Sequence, residues 1–341
     1  MSRKIVKPTA GQIELLKRTG SPNKTEALEA MHSLAEALQV PLRSALLDGD
    51  ILGGIFVPEL LDPSATAEYP LDLFQTEQEG DYVAYMIPNE GALPQRTVVG
   101  DAVTVQTYSV GNAIDWPLKY ATSARWSIVA RAMEVLEAGF VQKMNTDGWR
   151  VIIAAGAGRT DYLGGAPLVY DSAATAGQFT KRLVSLMKTT MTRLAGGNSA
   201  SINRGQLTDL YISPEALEDI REWDHDEVDD LTRREIFEAG EDTGPMARIY
   251  GVRLHPLDEL GVGQEFQLFF DTLGLSMGTN DEEIVIGMDL SKSDSFVMPV
   301  KRPLSIFEDD MLHRRQKAGF YGWQEHGFAA LDGRRVILGS F

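Results

Sequence analysis

The sequence contains no cysteine, which removes several kinds of protein at once. Without thiols there can be no disulfide bond, no cysteine-ligated metal centre and no cysteine nucleophile. The sequence also has no apolar run near the ~20 residues that a membrane-spanning helix needs, and its opening residues lack the apolar stretch of a signal peptide. We therefore expect neither a secreted, disulfide-stabilised fold nor a contact with membrane.

Positive charge is scarce: 32 Lys and Arg stand against 49 Asp and Glu, which gives a net charge of −17. Such a chain repels polyanions, so sequence-specific recognition of nucleic acid is disfavoured. The acid is concentrated in residues 213–242, where 13 acidic and 3 basic residues leave a net charge of −10. A run of this kind is typical of an exposed, solvated surface.

Motifs that carry chemistry are also absent. The segment 151–161 resembles a dinucleotide-binding loop, but Asp161 occupies the third glycine position, so a glycine-rich helix end is the better interpretation. The segment 224–230 holds five carboxylates and His225, and it too is better explained as solvated surface than as a cation site. No histidine pair has metal-ligand spacing, and His326 has the context of a packed strand residue. The sequence predicts no catalytic residue, no metal site and no cofactor.

The first third of the chain predicts elements that cannot bury themselves. Residues 1–24 read as an extended arm, followed by a helix over Lys24–Gln39. Two β runs, Tyr82–Ile87 and Ala102–Val110, flank a segment rich in Pro and Gly, and this order predicts a long hairpin. Its strands carry few large apolar residues. Because an isolated hairpin is marginal in water, it needs a surface elsewhere in this chain or on a neighbour.

A long helix follows, with a stripe of apolar residues at helical spacing that predicts ~25–30 residues. The stripe consists of Trp126, Val129, Met133, Leu136, Phe140 and Met144. A second helix is predicted over Gln178–Leu194. Further on, a strand in TDLYIS precedes a helix that Ser213 caps and Pro214 begins. Strands are predicted at Ala247–His255, Glu265–Phe270, Glu283–Gly287 and through the last ~45 residues.

The sequence favours a self-assembling protein over an enzyme, because it combines an arm, a hairpin, a long helix and an acidic region and has no catalytic motif. In this order the elements resemble the major capsid proteins of tailed phages, the Hong Kong 97 fold family. Two segments carry the resemblance most directly: TDLYISPEALEDIREW and KAGFYGWQEHGFAALDGRRVILGSF. The resemblance implies an α+β fold with an N-terminal arm (1–56), an extended loop hairpin (76–114), a peripheral domain with a spine helix (57–75 and 115–204), an axial domain (205–290) and C-terminal strands that return to the peripheral domain (291–341).

The same resemblance implies a structural protein that assembles into hexamers and pentamers of an icosahedral shell around double-stranded DNA. Its location would be the virion, after assembly in the host cytoplasm. Its partners would be further copies of itself, a portal, a decoration protein and a scaffolding protein. Because no long charged helical segment precedes the arm, we expect the scaffolding protein to be a separate chain and no large cleavage to occur.

Assembly contacts are expected at four places along the chain: the hairpin, the start of the long helix, the acidic cluster and the short basic run near the C-terminus. The residues are Tyr82, Tyr85, Glu90, Arg96, Asp101, Trp126, Asp224, Asp226, Glu227, Arg314 and Arg315. Two alternatives stay open. An encapsulin-type nanocompartment shares the fold and encloses an enzyme, and an acidic enzyme without a recognisable motif would be a monomer or a small closed oligomer.

Overall fold

The structure is a computed structural model. It describes residues 10–21, 23–35, 51–70, 102–122, 126–158, 168–193, 205–223, 248–275, 283–291, 295–309 and 311–341. The chain divides into two compact units. The first unit comprises Met1–Ala67, Val105–Asp147 and Met298–Phe328, and the second comprises Glu68–Thr104, Gly148–Val297 and Ala329–Phe341. Within the described ranges, no helix combines the length and the apolar character needed to cross a membrane.

The helices of these ranges are α1 (Ala10–Thr19), α2 (residues 24–35), α3 (Leu118–Thr122), α4 (Trp126–Ala157), α5 (Lys181–Arg193), α6 (Pro214–Glu222) and α7 (Glu265–Thr272). The strands are β1 (Val57–Leu60), β2 (Glu68–Pro70), β3 (Ala102–Thr104), β4 (Tyr108–Pro117), β5 (Val169–Tyr170), β6 (Asp209–Ile212), β7 (Arg248–Ile249), β8 (Val252–Pro256), β9 (Ile284–Met288), β10 (Phe296–Glu308), β11 (Lys317–His326), β12 (Ala329–Ala330) and β13 (Val336–Ser340). Short 3-10 helices occur at Ile51–Gly54, Leu312–Arg315 and Gly333–Arg335.

The first unit is built on an antiparallel sheet with the strand order β1-β10-β11-β4. β11 and β4 pair over ten positions, from Lys317 opposite Pro117 to His326 opposite Tyr108. Side chains on one face of this sheet form a core with α1, α2 and α4. The buried members of the core are Leu16, Met31, Leu34, Ala35, Trp116, Met133, Leu136, Phe140, Leu304, Ile306, Ala318 and Phe320.

The second unit contains a mixed six-stranded sheet with the strand order β5-β13-β9-β6-β8-β7. Every residue of β6, β9 and β13 is buried, as expected for central strands covered on both faces. Helices α5 and α6 contribute to its core, and Phe179 meets the ring of Phe341 edge-on at 5.4 Å. A Cβ added at Gly156, near the end of α4, would come within 2.7 Å of Leu338 in β13, so the helix end lies directly against that strand.

Several predictions from the sequence are confirmed. α4 has 32 residues, and Met133, Leu136, Phe140 and Met144 of its predicted stripe are buried. Ser213 is the N-cap of α6, where its hydroxyl accepts the backbone N–H of Ala216 at 3.1 Å. The predicted elements that became α5, β6 and β9 are also present.

Two predicted element types were wrong. Residues 10–19 are helical where an extended arm was expected, because Leu16 and Thr19 are both buried in a helical turn. Glu265–Phe270 was predicted as a strand but belongs to α7. Phe266 and Phe270, four residues apart, are both buried on one face of that helix.

Two predicted strands are each interrupted. Ala102–Val110 contains β3 and the start of β4, separated by residues 105–107, and the two strands belong to different sheets. The interruption follows from a hydrogen bond to a distant residue, because the backbone N–H of Val105 donates to the carbonyl of Ala67 at 2.9 Å. Ala247–His255 is divided into β7 and β8 by a turn at Tyr250 and Gly251, both with positive φ. The other half of the predicted hairpin, Tyr82–Ile87, lies outside the described residues.

Candidate functional site

Most of the predicted assembly residues lie outside the part of the chain that the structure describes. These are Tyr82, Tyr85, Glu90, Arg96, Asp101, Asp224, Asp226 and Glu227. Trp126 is the first residue of α4. Arg314 and Arg315 are exposed neighbours in the 3-10 helix Leu312–Arg315, directly before β11. Their role in assembly stays a prediction.

The first unit carries an exposed aromatic group that the sequence analysis did not single out. On the sheet face opposite the core, Phe307 of β10 is directly across from Tyr321 of β11, and their rings stack at 5.5 Å. The ring of Trp323 lies 6.4 Å from that of Phe307. The guanidinium of Arg302 lies 4.8 Å from the centre of the Trp323 ring. We call these four residues the aromatic surface.

The aromatic surface is exposed where aromatic side chains are usually covered. Phe307 and Tyr321 are 38% and 39% exposed, and Met311, in the turn that follows β10, is 69% exposed. Scattered exposed apolar residues are ordinary, but a contiguous stack of three rings under an arginine has the composition of an interface centre, where Trp, Tyr, Phe and Arg are enriched. An arginine held over a tryptophan face is also partly ordered before any partner arrives.

The sequence does contain a signal for this surface. In a strand, neighbouring side chains point to opposite faces. The consecutive aromatics Phe320 and Tyr321 therefore cannot both face the core, and the structure buries Phe320 and exposes Tyr321. Trp323 shares the outer face with Tyr321. The alternation shows which side chains share a face, but not that this face lacks a covering element.

Titratable groups of the second unit are engaged with one another. The Asp209 carboxylate, buried in β6, accepts Nη2 of Arg253 at 3.0 Å and lies 2.8 Å from Nε2 of His255. Burial alone would raise the pKa of Asp209, but hydrogen bonds from His255 and Thr208 and the charge of Arg253 lower the pKa below its usual value. The ring of Tyr211 stacks on that of His255 at 4.8 Å. This arrangement joins two neighbouring parallel strands, β6 and β8.

A second cluster joins β9 to the turn before β13. The guanidinium of Arg335, 2% exposed, donates Nη1 to Asp289, and its Nε lies 3.4 Å from Oδ2 of Asp332. Arg334 also donates to Asp332, with Nε at 2.8 Å from Oδ1. Burial would raise the pKa of Asp332, but the bonds and charge of Arg334 and Arg335 lower it. These contacts satisfy buried charges internally.

No group of three or more His, Asp or Glu side chains in the described ranges is arranged to hold a metal ion. The carboxylate-rich segment 224–230, which the sequence analysis weighed as a cation site, lies outside those ranges. Among the described residues, the aromatic surface has the composition of a macromolecular contact.

Comparison with known proteins gives no match in sequence: no protein-family model and no curated protein matches this chain. Solved structures do match. The capsid of a native GTA particle has a TM-score of 0.54 at 11% identity, covering 85% of this chain and 89% of that one. A structure from Microbacterium phage Oxtober96 has a TM-score of 0.54 at 9% identity, covering 86% and 91%. A structure from Gordonia phage Cozz has a TM-score of 0.50 at 13% identity, covering 87% and 86%.

At these identities the likeness concerns the fold, and it extends over most of each chain. The resemblance to phage capsid proteins that was inferred from the order of elements is thereby confirmed at the level of structure. The chain has a capsid-type α+β fold.

Proposed function

We propose that this protein is a structural subunit of a phage-type capsid. The observation that carries the proposal is the likeness to the capsid of the GTA particle, which spans 85% of this chain. A fold alone does not fix a function, but two independent features agree with it. The buried carboxylates of the second unit that the structure describes, and its buried guanidinium, have hydrogen-bond or ion-pair partners within that unit, and the first unit exposes an aromatic surface of interface composition.

In detail, the proposed subunit has the Hong Kong 97 organisation of arm, extended loop, peripheral domain with a spine helix, and axial domain. Copies would form hexamers and pentamers of an icosahedral shell that encloses double-stranded DNA with non-specific contacts only. A scaffolding protein, a portal and a decoration protein would be its partners in the virion. Support for this organisation comes from the order of elements along the chain and from α4, a helix of 32 residues at the place in that order where the resemblance expects the spine helix.

The aromatic surface is proposed as a contact between copies. In a closed shell every subunit repeats the same contact, so a modest interaction is multiplied over the lattice. Tyr321 and Trp323 would be covered by another copy, and Arg302 would keep its place over the Trp323 ring. The net charge of −17 makes contact through these uncharged rings more favourable than contact through acidic surface.

Particle size tests the proposed function. The protein is expressed alone and together with the products of its neighbouring genes, and both preparations are examined by light scattering and negative-stain imaging. Closed shells tens of nanometres across, with nuclease-protected DNA inside, are expected in the second preparation. Shells that hold an enzyme and no DNA would establish the nanocompartment instead. A monodisperse species below ~100–200 kDa in both preparations would contradict a shell of any kind.

A variant tests the contact. Tyr321→Ser with Trp323→Ser removes two rings from the solvent side of the sheet, so the free energy of unfolding of the subunit should change by about 1 kcal/mol. Loss of two interface anchors costs about 2 kcal/mol or more per contact, which corresponds to roughly a 30-fold weaker association. Tyr170→Ser, at a similarly exposed tyrosine of β5 in the second unit, is the control. Normal shell yield from the double variant would exclude this contact.

A further inference from the structure

One buried titratable group takes no part in any contact described so far. His326 is the last residue of β11, where it is opposite Tyr108 of β4, while Val300 of β10 is opposite it on the other side. Its side chain is 1% exposed, and neither Nδ1 nor Nε2 has a hydrogen-bond partner among the described residues. Buried polar atoms are nearly always bonded, so an imidazole in this position is unusual at a junction of three strands.

Aromatic rings confine the imidazole of His326. The ring of Tyr108 lies 5.2 Å away with a tilt of 54°, and the ring of Phe328 lies 5.2 Å away, edge-on. Phe328 in turn meets Phe56 at 5.0 Å. The backbone is also closely packed at the next residue, Gly327, where an added Cβ would come within 2.6 Å of the carbonyl oxygen of Gln106. The neutral ring is therefore packed against aromatic side chains and is almost inaccessible to solvent.

The charged groups nearest His326 are already paired. Lys143 and Asp147 of α4 form an ion pair of 2.7 Å, and Tyr108 donates its hydroxyl to the other oxygen of Asp147 at 2.7 Å. On its own strand, Glu325 points to the opposite face and accepts the hydroxyl of Thr107 at 3.1 Å. Burial disfavours a positive charge on the imidazole, and with the smaller repulsion from Lys143 it outweighs the attraction of Asp147 and lowers the pKa of His326 to about 4. An imidazolium would therefore have to break the Tyr108–Asp147–Lys143 contacts to find an acceptor.

We propose that His326 is an acid-sensitive latch of the first unit: as a neutral ring it holds together the ends of β4, β10 and β11, and protonation opens that junction. The direction follows from linkage. The unfolded or opened chain binds a proton near pH 6.5, and the closed chain binds one only near pH 4. Between these two values the opened form holds more protons, so stability of the closed junction is complete above pH 6.5 and is lost as the pH falls.

The test is hydrogen exchange of the full-length protein at pH 7, 6 and 5, corrected for intrinsic exchange rates, with its assembly state checked by light scattering at each pH. The pKa of His326 is 6.5 in the opened chain and about 4 in the closed chain. The opening constant of amides in Lys317–His326 and Tyr108–Pro117 should therefore rise about 20-fold from pH 7 to pH 5. Amides of Val336–Ser340 in the second unit serve as the internal control, and their opening constant should not rise, because the raised pKa of Glu283 makes that unit more stable as the pH falls. An equal rise in the opening constant in both sets of strands, or no rise in either set, would overturn the proposal.

The variant His326→Phe keeps a ring of similar shape without the titration, and its junction should stay closed from pH 7 to pH 5. His32→Gln, at a histidine whose side chain is 63% exposed, is the matched control and should retain the acid sensitivity of the parent. If His326→Phe opens with acid as the parent does, His326 is not the latch. Should this variant fail to fold, the exchange comparison within the parent protein still decides. The inference does not depend on the proposed shell function, because it is measured within one subunit.

Discussion

The two units differ in how they treat buried ionisable groups. In the second unit, Asp171, Asp209, Glu283, Asp289, Asp332 and Arg335 are buried, and each has an ion-pair or hydrogen-bond partner. In the described part of the first unit the buried ionisable side chain is His326, and neither of its nitrogens has a partner there. The second unit is therefore specified partly by charge, and the first mainly by the shapes of its apolar and aromatic side chains.

This difference predicts opposite sensitivities. A paired buried charge is costly to break but insensitive to modest changes in pH, because its partner keeps it ionised. An unpaired buried imidazole has a desolvation cost that does not depend on pH while it is neutral, and it destabilises the fold further once the solution becomes acidic enough to protonate the unfolded chain. Variants in each unit separate the two cases.

Removal of the Arg335 guanidinium should have the largest effect. Arg335→Met leaves Asp289 buried without its counter-charge and takes the weaker of two cations from Asp332, which keeps Arg334. Breaking a buried pair from one side typically costs about 3–5 kcal/mol. The measurement is the free energy of unfolding from denaturant titration at pH 7. Arg221→Met is the control, because Arg221 pairs with Glu218 on an exposed face of α6 and surface pairs contribute about 0–1 kcal/mol. If both variants lose the same free energy of unfolding, the buried contacts of Arg335 contribute no more than a surface ion pair.

Close packing in the first unit should be tested at Gly319 of β11. A Cβ at this position would overlap the carbonyl oxygen of Ile114 and lie 3.0 Å from the Cα of Asp115, so β4 would have to move. Gly319→Ala should therefore lower the free energy of unfolding by about 1–3 kcal/mol. Gly111→Ala is a matched control in β4, where an added Cβ meets its nearest neighbour at 3.5 Å. A Gly319→Ala variant as stable as Gly111→Ala would mean that shape does not limit this sheet.

A smaller dependence of stability on pH is expected from Glu283, and its sign is opposite to that expected from His326. Burial raises the pKa of its carboxyl above the ordinary value of 4.5, and Glu215 and Asp219 add to this, although the hydroxyl of Ser213 donates to Oε2 at 2.5 Å and opposes it. A raised pKa means that the contribution of Glu283 to stability is complete below pH 4.5 and is lost as the pH rises through the folded value.

Glu283→Gln should therefore flatten the fall in stability of the second unit between pH 4.5 and pH 7, while its free energy of unfolding at pH 7 stays within about 1 kcal/mol of the parent. Denaturant titrations across this pH range give the measurement. Glu222→Gln, at an exposed position of α6, should leave the pH profile unchanged. An unchanged profile for Glu283→Gln would show that this carboxyl titrates normally.

The sequence alone predicted the elements whose signal is local. The stripe from Met133 to Met144 predicted α4, and Ser213 followed by Pro214 predicted the start of α6. Both depend on periodicity or capping within a few residues. The strand at Asp209–Ile212 was likewise apparent from its own composition.

What could not be predicted depends on distant partners. Six residues such as Glu265–Phe270 fit a strand by composition, and only the burial of Phe266 and Phe270 on one face makes them helical. The break between β3 and β4 depends on Ala67, nearly forty residues earlier in the chain. The aromatic surface depends on the register that brings Phe307 opposite Tyr321. All eleven predicted assembly residues stay predictions.

Hydroxyl-radical footprinting of free subunits and of assembled particles tests directly whether the aromatic surface is a contact between copies in a capsid. If the protein is a capsid subunit and the aromatic surface is a contact between copies, labelling of Phe307, Tyr321 and Trp323 should fall several-fold in the particle. Met311, which is 69% exposed beside them, should be protected with them. Particles in which these residues are labelled as strongly as in the free subunit would contradict the assigned contact, and failure to obtain any particle would contradict the capsid itself.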